Sequence, residues 1–117
     1  MGIFSSTVSF AATSNWAGRL PGNHGNIYTG MVTKATNKRT GVAEATKVPN
    51  SGINVWIQKN RGSGALLASK PKSIYTKNVK INIDYHSYYA VGNKVCGGVE
   101  NKSSGPLGFS NGTIDFR

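Results

Sequence analysis

Cys96 is the one thiol of the chain, and His24 and His86 are its two imidazoles. A thiol with an imidazole base and an arginine nearby would make a nucleophilic site, because such neighbours favour the reactive thiolate. The local sequence opposes that reading. Cys96 follows Val95 and precedes Gly97-Gly98, unlike the Thr-rich strand end that carries a transpeptidase thiol, and no helix N-terminus leads into it. It reads as a small buried residue beside a glycine bulge. His24 and His86 lie far apart and share no third donor at metal-ligand spacing, so each reads as a solvated surface residue. The four acids, Glu44, Asp84, Glu100 and Asp115, are scattered, which disfavours paired-carboxylate hydrolysis. With no phosphate loop, serine elbow or zinc motif either, the sequence predicts a non-enzymatic protein with no metal and no cofactor.

A second constellation suits binding. Tyr85, His86, Tyr88 and Tyr89 cluster, with Lys80 and Lys94 close in sequence. Trp56 falls on the polar parity of its run, opposite Ile53, Val55 and Ile57, with Lys59 and Arg61 just beyond. Outward rings flanked by cations stack on sugars, sit at a lipid headgroup layer or stack on unpaired bases. The competing reading is that Trp56 covers a second sheet or a loop and that the tyrosines cap the core.

The elements that must position these residues are short and alternating. Ile53 to Gln58 and Lys77 to His86 show period-two patterning, the latter with Val79, Ile81, Ile83 and Tyr85 on one side and Lys80, Asn82, Asp84 and His86 on the other. Ile27 to Thr36 reads as a strand whose hairpin partner is Val42 to Val48. Ala65 to Ser69, Lys94 to Glu100 and Thr113 to Arg117 add further strands, with Ile114 and Phe116 inward. Asn15 to Asn26 reads as irregular and Asn101 to Gly108 as a loop. No window carries a helical apolar stripe, and fifteen glycines disfavour helices. The expected fold is all-β: a single antiparallel sandwich or barrel of about seven to eight strands.

Charge divides the chain. Met1 to Gly18 carry none, while all fourteen Lys/Arg and all four Asp/Glu follow, for a formal net charge of +10. Residues 1–12 read as the back half of a secretory signal, with an apolar stretch and a small-residue site at Ser9-Phe10-Ala11-Ala12 but no positive start. Two rival readings are a first β-strand over Thr7 to Phe10 and a myristoylation pattern in Met1-Gly2 with Ser6. No run approaches the ~20 apolar residues of a spanning helix. Residues 13–117 form the expected basic domain, with cations grouped at Lys34, Lys38 and Arg39 and again at Lys70, Lys72, Lys77 and Lys80. Because Cys96 is alone, no intrachain disulfide staples the core.

The run Asn23-His24-Gly25, the stretch from Tyr28 to Gly41 and the strand-borne Trp56 resemble small secreted Gram-positive β-sandwich proteins, the lactococcin 972-type bacteriocins among them. The chain departs from that family in its length and in ending Asp115-Phe116-Arg117. The resemblance implies an extracellular protein that binds a wall precursor and interferes with wall synthesis. The charge points the same way, toward an anionic wall polymer, a wall precursor or a lipid surface. A carbohydrate-binding or adhesion module using exposed Trp and Tyr is the alternative. A nucleic-acid-binding β protein comes after that, for want of a recognised signature.

Overall fold

The computed structural model describes residues 12–62, 64–86, 91–103 and 108–117. Nine strands are described: β1 (Thr13–Leu20), β2 (Asn26–Tyr28), β3 (Val32–Thr33), β4 (Thr40–Lys47), β5 (Ile53–Gln58), β6 (Lys72–Ile74), β7 (Lys80–Asp84), β8 (Lys94–Asn101) and β9 (Gly108–Asp115). All pair antiparallel, in two open sheets. One runs β1-β9-β4-β7; the other runs β2-β8-β5-β6, with β3 also on β8. The expected all-β fold is present, and of the two expected forms it is the sandwich, since neither sheet closes into a barrel.

Alternation builds the core. Ile53, Val55 and Ile57 of β5, Val95 and Val99 of β8, Ala43 and Ala45 of β4, and Ile114 and Phe116 at the end of β9 are all buried in one cluster. Each Val, Ile or Phe side chain so buried contributes roughly 1.5–3 kcal/mol. From β7 only Ile83 and the adjoining Tyr85 are fully in; Val79 stays exposed.

Four element boundaries differ from the sequence reading. β1 occupies the stretch read as irregular: only Ala12, Trp16 and Leu20 go in deeply, a four-residue spacing that hides the period of two. β9 begins at Gly108, inside the expected loop. The third strand of the sheet edge is β6, past Pro71, while Leu67 and Ser69 make only isolated bridges. Ile27 to Thr36 is broken and does not form a hairpin with β4. β2 and β3 both lie along β8, and between them the Thr29 hydroxyl accepts the hydrogen bond of Gly97 N at 2.8 Å, replacing a ladder partner.

Each tryptophan lies over a glycine on the neighbouring strand. Trp16 pairs with Gly112 and Trp56 with Gly98, and a Cβ on either glycine would overlap the indole ring. Trp16 faces inward and donates from Nε1 to Ser110 Oγ at 2.9 Å, which in turn donates to Lys47 O at the β4 bulge. Trp56 is on the opposite side of its sheet, outside the main core.

Candidate functional site

At one edge the two sheets are joined by a seam, where the segment entering β6 meets the segment leaving β7. Ser69 bridges Tyr85, and His86 N donates to Ala68 O at 2.8 Å. Tyr85 locks this junction from inside: it is buried, its hydroxyl donates to Phe116 O at 2.7 Å, and its main-chain N donates to Arg39 O. On the outside, the seam leaves a cleft of about 330 Å³ lined by Lys70, Lys72, Asp84, Tyr85 and His86. Lys70, Lys72, Asp84 and His86 are all exposed. Asp84 already accepts a hydrogen bond from Thr40 Oγ1 at 2.9 Å. Two ammonium groups and an imidazole thus face one carboxylate whose acceptor capacity is partly used. Such a recess suits a phosphate or another small oxyanion, which takes several N–H donors at once.

A second concavity, of about 280 Å³, lies on the outer face of the β1-β9-β4-β7 sheet. It is bounded by Glu44, Lys80, Asn82, Thr113, Asp115 and Arg117, with Val42 at its floor. Its charges balance within the sheet: Glu44 stands across the ladder from Lys80, and Arg117 Nε is 3.5 Å from Asp115 Oδ2. Scattered in sequence, Glu44 and Asp115 are brought together by the fold at this concavity. Among the described residues no group of three His, Cys, Asp or Glu could hold a metal ion.

The residues expected to form the binding platform are dispersed. Trp56 has the outward parity expected, yet it is only 6% exposed. Its ring lies on Gly98, and Nε1 donates to Gln58 Oε1 at 2.6 Å. Gln58 is itself buried and donates to Asn60 O and Gly62 O. Arg61 folds back to the Tyr28 ring, 6.0 Å from its centroid, and donates from Nε to Thr29 O. Trp56 is therefore a covered ring that holds Gln58, which in turn ties Asn60 and Gly62, and the expectation of an exposed stacking ring is corrected on that ground. Tyr85 is likewise inside, leaving its neighbour His86 to reach the cleft. Lys80 belongs to the balanced face, whereas Lys59, Arg61 and Lys94 gather at one end of the five-stranded sheet. Tyr88 and Tyr89 lie outside the described residues, as does the expected signal remnant apart from Ala12.

Cys96 sits in the same covered patch. It is fully buried, burial pushes its thiol above the ordinary 9.0, and the Arg61 charge and a hydrogen bond with Gln58 offset this only in part. A protonated, enclosed thiol is a poor nucleophile. His24 takes part in a turn with positive φ, its Nδ1 3.0 Å from Asn101 O.

Lys34 is the polar residue least expected from sequence. It is fully buried, and Nζ donates to the main-chain oxygens of Thr36, Lys38 and Arg117, with the Tyr85 ring 5.0 Å away. Three acceptors match the three donors of an ammonium. Desolvation still lowers it from the usual 10.5. This cation, from the first basic group of the sequence, is spent on tying the chain beyond β3 to the end of β9.

Compared with protein-family models, with curated proteins and with solved structures, the chain gives no match.

Proposed function

We propose that the protein is a secreted, non-catalytic binder of a phosphate-bearing polymer of the bacterial envelope, acting in the manner of a bacteriocin. The observation that carries this reading is the seam cleft, where Lys70, Lys72 and His86 outweigh Asp84 in a recess of about 330 Å³. The net charge of +10 supplies the long-range attraction, effective over about 8–10 Å in physiological salt. Asp84 is the one acid lining the cleft; Glu44 and Asp115 line the other concavity, and Glu100 accepts a hydrogen bond from Asn54 on the other sheet. Catalysis is no part of the proposal: the one thiol is enclosed and protonated.

A binding titration with purified wall teichoic acid tests it. The wild-type protein binds and weakens steeply as salt rises, because each neutralised phosphate releases a counterion. Lys70→Glu with Lys72→Glu lowers that affinity on the order of a hundredfold in low salt while the protein stays folded. Unchanged binding by that double variant would remove the cleft from the account.

One observation favours carbohydrate recognition as a second reading. Tyr75 is 62% exposed beside Lys102, whose Nζ is 5.5 Å from the ring centroid and is held by Asn54 Oδ1 and Ser73 Oγ. A fixed ring next to a fixed donor is what a sugar-stacking site uses. Binding to phosphate-free glycan that ignores salt and disappears in Tyr75→Ala would favour this reading.

A further inference from the structure

The described residues include seven large exposed hydrophobics, and four of them, Met31, Leu66, Leu67 and Val91, fall in three segments at one end of the five-stranded sheet. The topology brings those segments together. Lys59 N donates to Leu66 O at 2.9 Å, and Leu67 bridges Gln58, so both leucines lie beside the end of β5. Gln58 pairs with Cys96 on β8, so residues 94 and 95 lie at the same end. Val32 and Thr33 pair with Val95 and Lys94, and Gly92 N donates to Lys34 O, which adds Met31 and Val91. Arg61, donating to Thr29 O, ties the loop to the turn before Met31.

The same segments, 29–35, 59–67 and 91–95, contain no Asp or Glu, and Lys59, Arg61 and Lys94 are exposed on them. Leu66 is 70% exposed and Leu67 42%. Loop leucines left in water beside cations, on segments that carry no acid, are the composition of a surface that enters the headgroup region of a bilayer: apolar side chains dip in while Lys and Arg meet the phosphates. A soluble protein partner would instead favour aromatic anchors and paired charges.

We propose that this apex docks onto a bilayer rich in anionic phospholipid, with Leu66 and Leu67 inserted at the acyl boundary and Lys94 and Arg61 on the headgroups. The proposal rests on the reading that the protein works at the bacterial envelope, and it adds a second contact distinct from the seam cleft. The apex holds the protein at the membrane while the cleft takes a polymer phosphate.

Co-sedimentation with vesicles tests it, using phosphatidylcholine alone and phosphatidylcholine mixed with about one third phosphatidylglycerol, a proportion at which each surface lysine counts measurably. The wild-type chain binds the anionic vesicles and not the neutral ones. Leu66→Asp weakens that binding about tenfold or more, and Lys94→Glu by a comparable factor. Both substitutions are at exposed positions, and circular dichroism checks that each variant stays folded. Lys70→Glu with Lys72→Glu keeps vesicle binding within about threefold while losing teichoic acid. Wild-type affinity that is equal for both vesicles, or unaltered in Leu66→Asp, overturns the proposal. Failure on vesicles with retained teichoic acid binding sinks the apex alone; failure on both also sinks the function proposed above.

Discussion

On the outer face of the β1-β9-β4-β7 sheet, Glu44 faces Lys80 across a ladder, and Arg117 Nε lies 3.5 Å from Asp115 Oδ2 two residues before it. At the seam beside it, Lys70 and Lys72 line a cleft with His86 and find only Asp84, which Thr40 already engages. The two regions draw on the same residue types. Strand pairing brings opposite charges within reach of each other and neutralises them. Lys72 stands across its ladder from Val55 and Lys70 lies in the segment before β6, so neither meets an acid through strand pairing.

The strongest challenge to this contrast is charge reversal in the cleft. Lys70→Glu with Lys72→Glu is expected to lower teichoic acid affinity on the order of a hundredfold in low salt, measured by calorimetric titration. Next is Trp56→Ala. Emptying a covered indole site and stranding Gln58 is expected to cost about 3 kcal/mol in urea unfolding, with phosphate binding by the remaining folded protein unchanged. A loss of binding at full stability would restore Trp56 as a contact residue. Lys34→Met removes three hydrogen bonds to main-chain oxygens and is expected to destabilise by about 2 kcal/mol in the same assay, without altering binding. On the balanced face, Glu44→Gln with Asp115→Asn is expected to change polymer affinity less than about twofold, because neither group faces the cleft.

Cys96 offers a pH readout of the covered patch. Its native thiol lies above 9.0 and an unfolded one does not, so between those values the unfolded chain is the less protonated form. Stability contributed by this group is therefore full below pH 9 and is lost as pH rises toward the native value. At pH 9, alkylation of the folded protein is expected to be far slower than that of the urea-unfolded chain. Equal rates would mean that the patch opens freely.

The sheets themselves were readable wherever a strand alternates fully, as in β5 and β7. β1 was not, because its inward positions include Ser14 and Gly18, which carry no apolar signal. The broken edge of β2 and β3 was hidden because Thr29 takes over a main-chain role that only its partner Gly97 explains. Parity placed Trp56 on the correct side of its strand. Exposure was misjudged because the glycine beneath the ring, Gly98, is distant in sequence. His86 was legible as a surface residue of the site, and Lys70 and Lys72 as a basic group. Their convergence was not, since it depends on a bridge between Ser69 and Tyr85 across two sheets.

The most direct measurement is the affinity of the intact protein and of the Lys70→Glu, Lys72→Glu variant for purified wall teichoic acid in roughly 50 and 200 mM salt. Wild-type binding that falls at least tenfold or so over that range, together with its loss in the folded variant, is the predicted result. Equal affinities for the two proteins, or binding indifferent to salt, would contradict the claim that the seam cleft receives phosphate.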